Sequence, residues 1–518
     1  MNLQLFQMTT LRDMHHKRRI LSATLSALTL AAACDAGAVR VNADGHGQAL
    51  IYPYYTARST PSGNAFVTAL SVSNTSSSPK VVKVRFMESR TGASVFDLNL
   101  FLSGYDVWTA GIVPDGDGAG LFTDDRSCTS PPISRSGVTP TPFTNASYAG
   151  DTLGDDRRRT YEGYFEVLEM ATIDPGSNLS RSITHALDAS GVNLSKPTCL
   201  NLPTTPTAPA GLTAPSGGLM GNASLINVNE GTDFSIDAVA LSQWSNRVQW
   251  STVGSGFPNL SDTSPPSSMV VQTRAEGDRV IVTRWTQGRD AVSALFMVDH
   301  VINDYSVEPF IKAATDWVIT MPTKRFYVTP GAAEAPFRRR PSAESIHYSF
   351  DCESRGISGG SGPLLPLYWD REELSPGYPI DFLGSTGAPL CGAVAVVAMT
   401  INSGMSTISK VLQSRSVNNI PLITIWWNGW LDLDMAEYTQ RFGESSVLAA
   451  PAGSTSVMDA VTGAITSGMT ATYFGLPVVG FAAQSYSTTG LPGVSATVLS
   501  NYGGSFMHRY RRRIEIGQ

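Results

Sequence analysis

Apolar and polar side chains alternate along many short segments of this sequence. In the segment 81–86, three apolar side chains alternate with Lys83 and Arg85, and the segments 66–72 and 96–100 follow the same rule. A period of two is typical of a half-buried strand, because successive side chains point to opposite faces of a sheet. Stretches rich in Ser, Thr, Pro and Gly separate these segments, so the pattern predicts antiparallel strands joined by turns.

Short apolar or alternating segments separated by turn residues continue toward the C-terminus. Further strands are predicted over the segments 161–170, 279–286, 326–328, 391–401, 422–427 and 495–499. Helices are expected only over 432–442 and 456–465. The predicted fold class is therefore mainly β, with one or two antiparallel β-sandwich-like domains, long loops and few helices.

A proline- and threonine-rich segment over 202–218 is the clearest candidate for a domain boundary. Its composition favours an extended connection without packing side chains, and an ordered surface loop within one domain is the competing interpretation. The segments 112–158 and 253–268 are long polar loops, and such loops often form binding surfaces. The predicted organisation is a leader over 1–38, an N-terminal β-sandwich-like domain over 39–201, the connection over 202–218 and a C-terminal mainly-β domain over 219–518.

The N-terminal segment has the order of features that a secretory signal peptide has. Three basic residues over 17–19 precede an apolar run over 20–33, and Ala36-Gly37-Ala38 fits a cleavage site before Val39. The run is shorter than the roughly 20 residues that span a bilayer, and no later apolar run reaches that length either. We therefore expect export to the outer cell surface or the extracellular space, with the periplasm as a further compartment, and no transmembrane segment.

Cleavage at that position leaves four cysteines, Cys128, Cys199, Cys352 and Cys391. An even number of cysteines in an exported protein predicts two disulfides. Four cysteines allow three connectivities, and proximity along the chain favours Cys128–Cys199 and Cys352–Cys391. Cys34, inside the leader, follows a run that loosely resembles a bacterial lipoprotein signal, in which it would become the lipidated first residue.

Composition and charge exclude several classes of protein. Charged residues make up 15% of the chain, against about 25% in an ordinary soluble domain, and the formal net charge is -6. A net negative chain disfavours nucleic-acid binding, and the apolar content is too high for intrinsic disorder. Basic clusters at 157–159, 338–340 and 509–513 are expected to be solvated or paired with acids, or to contact anionic polysaccharide or lipid.

Two polar motifs lack the context that their chemistry requires. Gly356 to Gly360 fits the spelling G-x-S-x-G around Ser358, but a proline-containing stretch follows where a nucleophile elbow needs a helix. Asp115 and Asp117 begin a calcium-like turn, but the later positions that should supply ligands hold other residues. We therefore assign no catalytic residue and no metal ligand, and we expect no cofactor.

The most aromatic stretch is Trp426-Trp427-Asn-Gly-Trp430. Exposed aromatic faces can stack on sugars, and core packing with a turn at Asn428-Gly429 is the favoured interpretation. The segment 369–373 contains carboxylates of the kind that glycoside hydrolysis uses, but nothing places a second carboxylate opposite them, which favours a charged surface turn.

Three stretches resemble, as a set, a group of uncharacterised exported proteins of Gram-negative bacteria. They are Leu50 to Thr56, Tyr105 to Thr109, and Thr315 to Val318 leading to Pro322-Thr-Lys324. The resemblance extends along most of the chain after the leader, to about Asn501. It implies export and residence at the cell surface, and it implies no mechanism.

Together these features predict an exported, surface-associated or secreted β-rich protein with a structural, adhesive or assembly role. The expected partners are components of the cell envelope, polysaccharide or other surface proteins, and an enzymatic activity is not expected. One alternative is a carbohydrate-active or other hydrolytic enzyme on a β-scaffold. The other is a lipoprotein that is anchored through Cys34.

Overall fold

The structure is a computed structural model. It describes residues 37–151, 154–187, 194–195, 197–329, 332–337, 366–375, 390, 392–401, 407–422, 426–435, 446–487 and 501–518. Most of the predicted leader, Ser358, Cys352 and Cys391 lie outside the described residues, as do the predicted strand over 495–499 and the basic cluster at 338–340. Within the described ranges, no helix combines the length and the apolar character that crossing a membrane requires.

Strands follow one another at short intervals through the first half of the chain. Their bounds are Arg40–Val41 (β1), Ala49–Thr56 (β2), Val67–Asn74 (β3), Lys80–Glu88 (β4), Ser94–Leu102 (β5), Val107–Asp115 (β6), Gly118–Phe122 (β7), Cys128–Ser130 (β8), Thr141–Pro142 (β9), Glu162–Ile173 (β10), Ala186–Leu187 (β11), Leu194–Ser195 (β12), Leu212–Thr213 (β13), Leu219–Met220 (β14), Asn222–Asn227 (β15), Thr232–Asp237 (β16) and Val239–Ser242 (β17).

The second half has the same character. Its strands are Ser267–Gln272 (β18), Arg279–Arg284 (β19), Met297–Val298 (β20), His300–Ser306 (β21), Ala314–Thr320 (β22), Val328–Thr329 (β23), Ala332–Ala333 (β24), Pro366–Asp370 (β25), Val394–Ile401 (β26), Val417–Leu422 (β27), Asn428–Asp434 (β28), Val447–Ala449 (β29), Thr455–Asp459 (β30), Ile465–Phe474 (β31), Leu476–Pro477 (β32), Val479–Ser487 (β33), Asn501–Met507 (β34), Arg509–Arg511 (β35) and Ile514–Gly517 (β36).

Helices are short in the part of the chain that the structure describes. The α-helices are Asn178–Ile183 (α1) and Gly288–Phe296 (α2), and the 3-10 turns are Ala146–Tyr148, Arg157–Tyr161, Pro309–Ile311 and Lys324–Phe326. The start of α1 is capped by Ser177, whose hydroxyl accepts a hydrogen bond from the backbone N–H of Ser180. The prediction of a mainly β fold with few helices is confirmed.

Two antiparallel sheets form a sandwich in the first half of the chain. The first sheet has the order β1-β17-β2-β10-β4-β5-β8, and the second has the order β16-β15-β3-β6-β7-β9. Apolar side chains from the inner faces fill the space between them, including Phe86 and Phe165 of the first sheet and Trp108 of the second. Phe165 stacks on Tyr52 with ring centroids 4.1 Å apart, so aromatic packing ties the central strands β2 and β10 together.

Three further sheets make up most of the second half. The third sheet has the order β18-β19-β30-β31-β29, the fourth β27-β26-β22-β33-β34 and the fifth β25-β28-β21-β35. The fourth and fifth sheets enclose a core that contains Trp317 and Leu431, which makes a second sandwich. All pairs are antiparallel within these three sheets except β26 with β27, which run parallel.

The first sheet is buried on both of its faces. Its outer face packs on α2 and the third sheet through Ile51 and Leu168, and on the fourth sheet through Tyr54 and Tyr164. Strand β4 was predicted to be half-buried, yet all nine of its residues are buried. That prediction was wrong for the polar face, because other parts of the chain cover it.

Charged side chains on this covered face are neutralised by internal partners. Glu166, whose side chain has no exposed surface, accepts a hydrogen bond from Arg325 at 2.8 Å and lies 3.7 Å from Arg85. The backbone carbonyl of Ser255 accepts a hydrogen bond from Arg85 at 2.8 Å, and that of Thr252 accepts one from Lys83 at 2.9 Å. The predicted loop at 253–268 therefore covers charged side chains of the first sheet.

Strand pairing crosses the predicted connection at 202–218. β14 and β15, which follow it, pair with β3, and β17 pairs with both β1 and β2. The residues over 219–242 thus complete the sheets of the first half, although the predicted division placed them in the C-terminal domain. Independent folding of the predicted domains stays a prediction.

Both predicted helices are corrected in the described residues. The segment 456–465 lies in β30, the turn that follows it and the start of β31, and Asp432 to Asp434 belong to β28. Leu431 and Leu433 are buried in the core between the fourth and fifth sheets, whereas Asp432 and Asp434 lie on the other face, so the local period is two. The remainder of the segment 432–442 beyond residue 435 lies outside the described residues.

We expect Glu166→Gln to destabilise the protein by about 3–5 kcal/mol, because it leaves two buried guanidinium groups without their carboxylate. Urea unfolding of the full chain measures this change. Glu372→Gln is the matched control: its carboxylate pairs with Arg371 at 2.9 Å, both side chains are 60% or more exposed, and we expect about 0–1 kcal/mol. Equal losses in the two variants would contradict the proposed importance of the covered ion pairs.

Candidate functional site

The tryptophans of the aromatic stretch 426–430 differ in exposure: one lies in the core and two lie at the surface. Trp426 is buried and meets Tyr368 edge to face, with ring centroids 5.2 Å apart. Trp427 and Trp430 are each 37% exposed. Asn428 and Gly429 begin β28 and do not form the predicted turn, and a Cβ on Gly429 would meet the carbonyl oxygen of Trp369 at 1.9 Å.

Trp430 stacks on a second tryptophan across the sheet. Trp369 of β25 lies in register with Trp430 of β28. Their ring centroids are 4.0 Å apart and their planes differ by 9°. In the sequence, Trp430 stands out as part of an aromatic stretch and the segment 369–373 stands out for its carboxylates. Because 61 positions separate Trp369 from Trp430, no local pattern places the two rings side by side.

The tryptophans share one face of the fifth sheet with several polar side chains. Asp304 of β21 lies in register with Trp430 on the other side and is exposed. Asp432 follows Trp430 by two positions and so projects from the same face. We call the set Trp369, Trp430, Asp304, Asp432 and His300 the tryptophan face.

His300 is held on this face by acidic and basic neighbours. Its Nδ1 atom lies 2.7 Å from Oδ1 of Asp432, and its Nε2 atom contacts Nη2 of Arg511. Because the guanidinium can only donate, the contact requires an unprotonated Nε2, and Nδ1–H then donates to Asp432. Burial acts to lower the pKa of His300, but the hydrogen bond and the charge of Asp432 outweigh it, so the pKa is raised above its ordinary value.

The contacts of His300 identify the groups that surround it. In the part of the chain that the structure describes, the polar contacts of His300 are with aspartates and an arginine, and none is with a serine or a cysteine. Ser358 lies outside the described residues. The tryptophan face presents flat aromatic rings and carboxylate oxygens that can accept hydrogen bonds.

The carboxylates of the segment 369–373 form a turn. Oδ1 of Asp370 accepts hydrogen bonds from the backbone N–H groups of Glu372 and Leu374, at 3.0 and 2.8 Å. Glu372 pairs with its neighbour Arg371. These contacts close the end of β25, as expected for a charged surface turn.

The calcium-like turn is occupied by a guanidinium group. Arg157 bridges Asp115 at 2.7 Å and Asp117 at 3.0 Å. The nearby Asp124 and Asp125 accept hydrogen bonds from serine hydroxyls. Among the described residues, no group of three His, Cys, Asp or Glu side chains is placed to hold a metal ion.

One predicted disulfide is present. Cys128 of β8 is bonded to Cys199, with their Cα atoms 5.5 Å apart. The bridge joins the edge of the first sheet to the segment that follows α1, and it packs near Trp250. The second predicted pair, Cys352–Cys391, lies outside the described residues.

The pairing of His300 with Asp432 on the tryptophan face is not visible in the sequence. His300 and Asp432 are 132 positions apart, so no local motif joins them. The alternation of Leu431 and Leu433 with Asp432 and Asp434 was the available signal, and it predicts a strand with one acidic face.

Comparison with protein-family models, with curated proteins and with solved structures found no match for this chain. The site must therefore be interpreted from its own geometry.

His508 lies beneath the tryptophan face and supports it from the core side. Its Nδ1 atom accepts a hydrogen bond from the side-chain amide of Asn303 in β21 at 3.0 Å, and Nε2 donates to the carbonyl of Val318 in β22 at 3.1 Å. Both bonds require the neutral ring with the proton on Nε2. Burial lowers the pKa of His508 to about 3.

We expect this histidine to make stability fall as the pH falls from about 6.5 toward 3. In that window the unfolded chain takes up a proton that the folded chain excludes, so the loss is at most about 1.4 kcal/mol per pH unit. Urea unfolding at several pH values measures it for the wild type and for His508→Gln, which does not titrate. The carboxylates contribute equally to both curves, so parallel curves would contradict the expectation.

Proposed function

We propose that this chain is an exported, surface-associated β-rich protein with an adhesive role, and that it binds carbohydrate on the tryptophan face. The observation that carries the proposal is the stacked, partly exposed pair Trp369 and Trp430, flanked by Asp304 on the same face of a sheet.

Stacking makes the aromatic pair a rigid platform. Each ring restrains the other across two hydrogen-bonded strands, so little side-chain entropy is lost when a ligand binds. Sugar rings present apolar C–H faces that pack on indole, and their hydroxyl groups donate hydrogen bonds to carboxylates such as that of Asp304. An aromatic plane beside a carboxylate offers both types of contact together.

The proposed location is supported by two independent features. The leader has the order of a secretory signal peptide, with a cleavage site before Val39. The disulfide Cys128–Cys199 is compatible with an oxidising compartment, where such bonds persist. A β-rich chain with long polar loops fits a role in adhesion or in the assembly of surface structures.

A glycan array probed with the full mature chain tests the binding function. We expect Trp430→Ala and Trp369→Ala each to weaken binding of a captured glycan at least about fivefold, because each substitution removes a stacking surface worth about 1–3 kcal/mol. Tyr105→Ala is the matched control, since Tyr105 is an aromatic residue that is 74% exposed on a loop between β5 and β6.

Retained affinity in both tryptophan variants, or equal loss in the Tyr105→Ala control, would overturn the assignment to this face. Breakdown of the captured glycan during incubation would instead support the alternative of a hydrolytic enzyme. His300→Gln then reports whether the His300–Asp432 pair takes part in that reaction.

Fractionation of expressing cells, followed by intact-mass measurement, tests export. We expect the protein outside the cytoplasm, with an unmodified N-terminus near Val39 and a mass lowered by the Cys128–Cys199 bond. An acylated N-terminus at Cys34 would instead support the lipoprotein alternative. Recovery in the cytoplasm alone, with the leader intact, would contradict export.

A further inference from the structure

A cavity at the edge of the first sheet is lined by arginines from distant parts of the chain. Its volume is about 190 Å³. The guanidinium groups come from the loop after β2, the loop after β4, the 3-10 turn before β10 and the segment before β27. We call this cavity the arginine pocket, after Arg58, Arg90, Arg158, Arg159 and Arg415.

The carboxylates around the arginine pocket serve to position its walls. Glu162 is buried, and it accepts hydrogen bonds from Arg58 at 2.9 Å, from the hydroxyl of Tyr54 at 2.8 Å and from the backbone N–H of Arg415 at 3.2 Å. Burial opposes its ionisation, but Arg58 and the hydrogen-bond donors outweigh burial and lower the pKa of Glu162. The carboxylate thus stays charged and holds the two halves of the chain together.

Arg159 belongs to the fixed wall as well. Its guanidinium group donates to Glu88, to Asp151, to the carbonyl of Gly154 and to the hydroxyl of Thr91. Its side chain is only 4% exposed. These bonds satisfy the group, so its role is to shape the pocket.

Two other arginines keep donors that a ligand can use. Arg158 gives one guanidinium nitrogen to Asp156 at 3.0 Å and is 65% exposed. Arg415 is exposed, and its guanidinium group makes no hydrogen bond or ion pair within the described residues. The hydroxyl groups of Ser89 and Ser416 in the lining form a hydrogen bond with each other at 3.2 Å, so one of the two O–H groups remains as a further donor.

The balance of charge in the lining is positive. Five arginines line the cavity, and Asp156 and Glu162 are the acidic residues among its lining residues. This excess is local, because the formal net charge of the whole chain is -6. The protein as a whole therefore repels anions, and the excess of arginines in the lining is a property of this cavity.

We infer that the arginine pocket binds a tetrahedral oxyanion group, phosphate or sulfate. Planar guanidinium forks and hydroxyl donors match such oxygens, and arginine is the side chain most suited to this recognition. At about 30 Å³ per water molecule, the volume has room for one oxyanion and a small part of the molecule that carries it. The site is separate from the tryptophan face and does not depend on the proposed function.

Binding would also join the two halves of the chain, because Arg415 follows the fourth sheet's β26 whereas Arg158 precedes β10 of the first sheet. A ligand that binds only the folded chain stabilises it in a saturable manner. Inorganic phosphate and sulfate are therefore suitable probes in thermal unfolding and in titration calorimetry of the full mature chain. Sodium chloride at equal ionic strength controls for screening, and acetate supplies a planar carboxylate for comparison.

We expect phosphate or sulfate to raise Tm with saturation, and Arg415→Ala and Arg158→Ala each to weaken that anion at least about tenfold. Both residues are exposed, so the variants are expected to fold. Arg371→Ala is the matched control, because Arg371 is 66% exposed and pairs with a neighbouring acid elsewhere on the surface. Saturation by phosphate alone or by sulfate alone would support the inference and identify which anion the pocket selects.

Three results would overturn the inference. One is a response to phosphate and sulfate that does not saturate and equals that of chloride, which is a salt effect only. Another is saturable binding that is unchanged in Arg415→Ala and Arg158→Ala. The third is acetate binding as tightly as either tetrahedral anion, because the pocket would then be a carboxylate site.

Discussion

Burial of the first sheet on both faces is the constraint on which the rest of this structure depends. An antiparallel sheet with one solvent-exposed face can leave its charged side chains in water. In this protein, the second half of the chain covers the outer face of the first sheet. Each covered charge then needs a partner, because an unpaired buried ion costs several kcal/mol. Glu166, whose side chain has no exposed surface, meets Arg325 from the other half of the chain at 2.8 Å, and the carbonyl of Ser255 accepts a hydrogen bond from Arg85 at 2.8 Å. These contacts fix how the two sandwiches are joined.

The local alternation of apolar and polar residues predicted where strands form, but it did not predict which parts of the chain pack on them. The pattern around Lys83 and Arg85 specifies a strand with one apolar face, and β4 is such a strand. It carries no information about what packs on the polar face, because the covering loop lies about 170 positions further along the chain. The helix predicted over 456–465 failed for a related reason: pairing with β19 fixes the extended conformation of Val457 and Met458, and local sequence does not record that partner.

For the candidate sites, too, the sequence shows the residue types but not which residues the fold brings together. The aromatic stretch 426–430, the carboxylates of the segment 369–373 and the basic cluster at 157–159 stand out in the sequence, because each is unusual in composition. Their neighbours came only from the fold: Asp304 reaches Trp430 through strand register, and Arg415 reaches Arg158 through the packing of distant segments. Residue types were thus predictable, whereas the geometry that gives them a joint function depends on long-range contacts.

Charged side chains make up little of this chain, and internal ion pairs use several of them. Arg159 is an example: it forms a buried ion pair with Glu88 in the wall of the arginine pocket. Buried carboxylates fix the inner arginines, and the outer ones, Arg158 and Arg415, keep free donors toward solvent. Preorganisation of this kind lowers the reorganisation needed to bind an anion, because the wall is already charged and oriented before the ligand arrives. The internal pairs that hold Arg58 and Arg159 therefore also build the wall of the arginine pocket.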